Sequence, residues 1–559
     1  MKNWFTQHIL PQLQYFNSET IWAWFTYNPT EPMLFNTTRF LAMFLVFYSL
    51  YIALRKTFYP RLIYVICFSL FFYYLSSGAF FILIIVSSLF DYFVTKWMFY
   101  AKSVKTQKIL VTLSVIVNLA LLGYFKYMNF FIDSFNTISN SYLEFQKIAL
   151  PVGISFFTFQ SISYVIEIYR KEIEPTKSYI DYLFFISFFP QLVAGPIVRA
   201  KDFLSQIYSD LVITKEQMNQ GMLLIIGGVI KKVVISDYIS SNFVDRVYDL
   251  PNAYTSFENL MASYGYAIQI YCDFSGYSDM AIGIALLLGF KLPTNFITPY
   301  QSKSITEFWR RWHISLSTWL KDFLYISVGG NRNGTFAGFL FPILFFVGIL
   351  GWGLFMIKTS VIPFIIALSS TLIFILSFLL SKNKERTMFT DVNLMTTMLL
   401  GGLWHGASLR FIVWGALHGC ALAVHKLVLE YFPETEKKTF LKSAWNVFAV
   451  ILTFNFVTFC WIFFRAKDFE TAINIITNIS KLTFDLQQWY IIYQGYTNVF
   501  LVMLLGFIWH YIPESWMAKI QSIFKNSPMV GKAIILALVY WLVFATAQEG
   551  PQPFIYFQF

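Results

Sequence analysis

Apolar residues run along this chain in long blocks separated by short polar ones. Residues 41–54, 80–94, 109–124 and 361–380 hold 14 to 20 positions each with at most one charged side chain. With their flanks, such runs have the length a helix needs to cross a hydrocarbon core. None alternates polar and apolar positions as a barrel strand does. The same pattern predicts further spans near 110–130, 149–168, 179–197, 219–239, 260–290, 336–380 as a pair, 392–428, 445–464, 492–512 and 529–547. The expected fold is therefore all-α: a polytopic membrane domain with roughly a dozen crossings. Segment 307–325, EFWRRWHISLSTWLKDFLY, has a different pattern. On a helix its Trp309, Trp312, His313, Leu316, Trp319, Leu320 and Phe323 gather on one side, opposite Arg310, Arg311, Ser317, Lys321 and Asp322. An amphipathic helix of this kind is expected to lie in the membrane interface or line a polar cavity.

Composition agrees. Charged residues make up 13% of the chain against about 25% in soluble domains, which excludes a water-soluble globule. The excess of 41 Lys+Arg over 30 Asp+Glu does not point to nucleic acid. The basic residues sit in short loops (Arg55, Lys56 and Arg61, then Lys96, Lys102, Lys105 and Lys108), as cytoplasmic loops require. That rule puts residues 1–35 outside and the loops at 55–61 and 96–108 inside. Cys67, Cys272, Cys420 and Cys460 lack CxxC spacing and read as core packing. The N-terminus has no apolar core followed by a cleavage site, so no cleaved signal peptide is expected. No polar stretch is long enough for a soluble domain and no internal repeat is visible, so residues 1–559 read as one membrane-embedded domain.

Six histidines stand at His8, His313, His405, His418, His425 and His510. His405 lies in LLGGLWHGASLRFIVWGALHG, a stretch apolar enough to be intramembrane, where an ionisable side chain is a functional candidate by default. A neutral imidazole suits activation of a hydroxyl nucleophile. His418, beside Gly415 and Gly419, reads as a packing residue bonded to a neighbouring helix. His313 is open to a packing or a functional role, and His8, His425 and His510 fall near span ends. No metal site is expected: His405 and His418 are 13 residues apart, not in the HExxH arrangement. Without a GxSxG turn, serine hydrolysis lacks support. Asp273 and Asp279, in a glycine-punctuated apolar stretch, read as residues that orient a histidine or cap a broken helix. In FFPQLVAGPIVR (188–199), Pro190, Gly195 and Pro196 end a helix, and Arg199 suits an anionic group.

Taken in order, FFPQLVAGPIVR, YCDFSGYSDMAIGIALLLGFKLPTNFITPY, SKSITEFWRRWHISLSTWLKDFLYISVGGNR and LMTTMLLGGLWHGASLRFIVWGALHG closely resemble the bacterial membrane-bound O-acyltransferase (MBOAT) family. The nearest branch is that of the alginate and peptidoglycan O-acetylation membrane proteins. The motifs span 188–419, which the resemblance marks as the catalytic core. It implies a ring of helices around a central funnel, thinned where a cytoplasmic acyl donor meets an external acceptor. It also implies His405, of the WHG motif, as the catalytic residue and His313 as its companion. Unlike relatives, the chain inserts an apparent helical hairpin at 335–380. Its last residues, 550–559, end in FxYxxF. There the resemblance implies that Tyr556 carries the acyl group, while an interfacial aromatic anchor is the plainer reading.

The function expected from the resemblance is transfer of an acyl group, above all acetyl from acetyl-CoA, for O-acylation of a cell-envelope or secreted polysaccharide. No permanently bound cofactor is expected. The expected setting is the bacterial inner (cytoplasmic) membrane, with an extracytoplasmic SGNH esterase-like acetyltransferase as partner and no nucleic acid. A non-catalytic transporter of an acyl donor or lipid-linked sugar is the rival reading.

Overall fold

The computed structural model describes residues 18–139, 141–209, 211–356, 362–433, 440–546, 552, 554 and 555. Every regular element among them is helical. The chain folds as two units, Met1–Phe125 with Lys147–Ile213 and Leu288–Lys291, and Lys126–Gln146 with Thr214–Leu287 and Leu292–Phe559.

The first unit contains α1 (Thr38–Leu54), α2 (Tyr59–Ser77), α3 (Phe81–Tyr100), α4 (Val104–Leu122), α5 (Ile154–Tyr169), α6 (Tyr179–Ser187) and α7 (Ala200–Tyr208). Its core is aromatic: Phe47 stacks on Phe68 at 4.0 Å, and Phe189 stands edge-on to both. Between α3 and α4, buried Asp91 accepts hydrogen bonds from Ser114 at 2.5 Å and Asn118 at 3.0 Å, so an acid inside an apolar unit has its oxygens satisfied. The span expected over 179–197 is not continuous. A Ser178–Asp181 capping box opens α6, Phe188 leaves the helical region, and a separate short turn follows at Phe189–Leu192 with Pro190 as its second residue, where a missing backbone N–H costs nothing.

In the second unit, α8 (Lys215–Val229) continues through wider π-type turns at Ile230–Asp237 and packs against α9 (Ser256–Leu287). Glycines set this contact from both sides. A Cβ on Gly228 would stand 2.5 Å from the Gly276 carbonyl oxygen, and one on Gly276 would stand 2.7 Å from that of Gly228. Backbones this close exclude any side chain, as at small-residue membrane helix interfaces. Helix α9 runs unbroken for 32 residues, so Asp273 and Asp279 cap nothing.

Next come α10 (Ile305–Arg311) and α11 (Ile314–Trp319), the hairpin helices α12 (Phe336–Met356) and α13 (Ile362–Leu380), and then α14 (Lys384–His405) and α15 (Leu409–Tyr431). The amphipathic segment is thus two helices rather than one. Its break falls at His313, whose φ of 43° and ψ of 55° are left-handed. The hairpin packs on the two helices that follow it: Phe346 of α12 lies with Met395, Leu399, Ala416 and Cys420 of α14 and α15, and Thr396 donates to the Gly338 carbonyl at 2.7 Å. An apolar cavity of about 390 Å³ lies between these helices, lined among others by Phe341, Leu344, Leu400, Leu403 and Val413.

The chain ends with α16 (Phe440–Arg465), α17 (Phe469–Ser480), α18 (Leu486–Gly495), α19 (Thr497–Tyr511), α20 (Glu514–Asn526) and α21 (Met529–Thr546). Among the described residues, five helical stretches are long and apolar enough to cross a membrane, or six if α18 and α19, bent by 90°, form one span. Shorter apolar helices accompany them. Cys272, Cys420 and Cys460 are buried as expected, whereas Cys67 faces outward.

The glycine contact is testable. Gly276→Val forces a side chain into the Gly228 backbone and should cost about 1–3 kcal/mol of stability or more, seen as a lower melting temperature in detergent. Gly351→Ala, where a Cβ meets nothing within 4 Å, should leave it unchanged.

Candidate active site

His405 is the last residue of α14 and is 3% exposed. The helix comes close to α15 because Gly402 and Gly415 lack side chains: their Cβ atoms would meet the carbonyl oxygens of Phe411 at 2.1 Å and Met398 at 2.2 Å. Rings surround the imidazole, with centroids of Trp404 at 4.9 Å, Trp414 at 5.1 Å and Phe464 at 5.2 Å.

A helix that stops inside a protein must satisfy its last carbonyls. Here Lys126 does so, its Nζ donating to the carbonyls of Trp404 at 2.7 Å and His405 at 3.0 Å, while the Tyr127 hydroxyl donates to that of Leu403 at 2.7 Å. Sequence reasoning passed over Lys126. Its signal was a lone lysine inside the apolar run that follows residue 109.

His313 is fully buried, and its left-handed backbone is a conformation that non-glycine residues hold only at a cost of about 1–3 kcal/mol. Asn295 supports it. The Asn295 carbonyl oxygen lies 3.2 Å from His313 Nδ1 and accepts from the Ser315 hydroxyl at 2.9 Å, while its amide donates to Ser278 on α9 at 3.1 Å. An acceptor facing Nδ1 places the proton there and makes Nε2 the basic nitrogen. The Phe274 ring stands edge-on at 4.5 Å. Trp404 brings the two candidate histidines into one neighbourhood, since its ring centroid is 6.1 Å from that of His313 as well as 4.9 Å from that of His405.

His418 does not bond a neighbouring helix as its packing reading expects. It is fully buried against Trp414 at 4.8 Å and Trp309 at 5.2 Å, and neither ring nitrogen has a hydrogen-bond partner among the described residues. His425 pairs with Thr306 at 2.8 Å and His510 accepts from the Tyr300 backbone at 3.0 Å, both structural contacts. His8 lies outside the described residues.

The two acids on α9 hold lysines of the neighbouring helix rather than histidines. Lys231 meets Asp279 at 2.7 Å, and Lys232 meets Asp273 at 2.6 Å and Asp237 at 2.8 Å. Tyr556 lies outside the described residues, together with Gly550, Pro551, Pro553, Phe557 and Phe559. The residues before it are placed: Phe554 is fully buried against Phe274 at 5.5 Å and Tyr277 at 5.1 Å, and the Ile555 backbone N–H donates to Asp273 Oδ2 at 3.0 Å.

Two buried histidines thus neighbour one tryptophan ring in a helical domain rich in apolar helices. Residues 169–350 match the family model described as MBOAT, membrane-bound O-acyltransferase family. The chain is 35% identical over 468 residues to the probable alginate O-acetylase AlgI of Pseudomonas putida, covering 80% of this chain and 84% of that one. It is 33% identical over 481 residues to the peptidoglycan O-acetyltransferase of Helicobacter pylori, covering 80% of each. The teichoic acid D-alanyltransferase of Bacillus subtilis is 28% identical over 330 residues, 57% of this chain and 69% of that one. The chain belongs to the membrane-bound O-acyltransferase family and is a multi-pass membrane acyltransferase. The reading as a non-catalytic transporter is thereby set aside.

Removing the cap at the end of α14 should be costly. Lys126→Met leaves two carbonyls without their donor and should lower stability by about 1–3 kcal/mol, measured by thermal unfolding. Tyr127→Phe, which loses one neutral bond, should cost about 0.5–1.5 kcal/mol.

Proposed function

We propose that the protein takes an acetyl group from acetyl-CoA on the cytoplasmic side of the bacterial inner membrane and delivers it for O-acetylation of a cell-envelope or secreted polysaccharide. The observation that carries this reading is the pair of buried histidines gathered at the Trp404 ring. The names of the relatives, an alginate O-acetylase and a peptidoglycan O-acetyltransferase, support the acyl group and the class of acceptor.

His405 acts as general base. It takes the proton of the attacking hydroxyl as that oxygen bonds to the thioester carbonyl carbon. The tetrahedral intermediate then collapses, the C–S bond breaks, and the CoA thiolate leaves as the thiol with the proton returned by His405. His313, held by Asn295 with Nε2 basic, assists by proton transfer, taking up a proton at Nε2. The attacking hydroxyl is the phenol of Tyr556, whose ordinary pKa of about 10 makes it a poor nucleophile until a base removes its proton during attack. Its aryl ester is reactive toward a serine hydroxyl of an extracytoplasmic SGNH esterase-like partner, which takes the acetyl group and restores the phenol.

Purified protein given radiolabelled acetyl-CoA should release CoA. His405→Ala should lower that release by about 10²–10⁴ while insertion stays normal, and His313→Ala should lower it less. Release by the His405 variant at the wild-type rate would remove that residue from the mechanism. Tyr556→Phe keeps the apolar area and loses only the oxygen, so the protein should stay folded and polysaccharide acetylation should fail. Normal acetylation by this variant would make Tyr556 an anchor.

A further inference from the structure

Residues 554 and 555 of the C-terminal segment are held in the interior of the second unit. Phe554 is fully buried and Ile555 nearly so, and the Ile555 N–H is spent on a carboxylate already engaged in a buried ion pair. The two oxygens of Asp273 divide the work, Oδ1 to Lys232 at 2.6 Å and Oδ2 to the tail at 3.0 Å. Lys232 also holds Asp237, so this cluster sets two carboxylates against one ammonium. The adjacent Lys231 is engaged by Asp279. A backbone N–H is a neutral donor that can stabilise the surplus negative charge without adding another cation, and hydrogen bonds to charged acceptors are about twice as strong as neutral ones.

We propose that Asp273, fixed in place by Lys232, is the positioning residue that anchors the C-terminal tail through Ile555, and that acyl transfer at Tyr556 depends on this anchor. Its consequence for acyl transfer rests on the reading of Tyr556 as the acyl carrier. The anchor itself rests only on the geometry of residues 554 and 555. The neighbouring residue on α9 carries the link to the site, because Phe274 packs on Phe554 with one part of its ring environment and stands edge-on to His313 at 4.5 Å with another. The recognition is by backbone, so the requirement at position 555 is a residue with an N–H.

The test uses the full-length protein in nanodiscs, with two variants that weaken or remove the same bond from opposite sides. Ile555→Pro removes the donor and leaves the ionic cluster whole. Asp273→Asn keeps an acceptor oxygen and removes the charge. Hydrogen–deuterium exchange of the C-terminal peptide reads the docking, and mass spectrometry after incubation with acetyl-CoA reads the ester on Tyr556. Both variants should raise tail exchange and lower the Tyr556 ester by about tenfold or more, the loss expected for a bond to a charged group. Gln552→Ala, upstream of the anchor, should change neither. Tail exchange that stays at the wild-type level in Ile555→Pro would overturn the anchor, whatever Asp273→Asn does to folding. A freed tail whose ester forms at the normal rate would overturn the positioning role. If the wild-type tail is protected and Ile555→Pro frees it, but wild type forms no ester on Tyr556 while releasing CoA, the carrier reading fails and the anchor stands.

Discussion

A positive charge buried in an apolar helical unit constrains everything packed around it. Lys232 is such a charge, and the second unit is built to satisfy it: Asp237 from its own helix and Asp273 from α9 both reach it below 3 Å. Removing one partner of a buried pair leaves the other uncompensated, at a cost of about 3–5 kcal/mol. The pair therefore fixes how α8 sits on α9, and the glycine contact between Gly228 and Gly276 permits the approach. From α9 the constraint spreads, because its Phe274 meets the His313 ring, its Ser278 holds Asn295, and its Asp273 holds the tail.

The site itself combines two kinds of support. Around His405 it is aromatic, three rings within about 5 Å that exclude water and limit the orientations of the imidazole. Behind it the support is polar, with Lys126 and Tyr127 closing the end of α14 so that the helix can stop at depth without unsatisfied carbonyls. His313 receives the opposite treatment. It sits in strained backbone, and the Asn295 side chain, shared with Ser315 and Ser278, helps to orient its ring beside Phe274 and Trp404.

The α12–α13 hairpin packs on the body of α14 rather than on its end. Phe346 packs on Met395 and Leu399 and so covers one face of the His405 helix. It also supplies one wall of the apolar cavity that reaches Leu403, two residues before His405.

The apolar blocks determined the helices, because burying or inserting a run of that length leaves a hydrogen-bonded helix as the only way to satisfy its backbone. The same local logic placed the break at Pro190 and singled out His405 as an ionisable group at depth. The order of motifs was enough to place the chain in its family. What local pattern could not reach were contacts between distant positions: Lys126 with the end of α14, 278 residues away, and Ile555 with Asp273, 282 residues away. Nor could periodicity show that the segment around His313 breaks in two. A helical wheel assumes right-handed backbone at every position, whereas tertiary contacts through Asn295 hold that residue left-handed. Sequence decided which groups were too costly to bury without a partner, and the tertiary structure decided which partners they found, because pairing energies depend on distances that only packing sets.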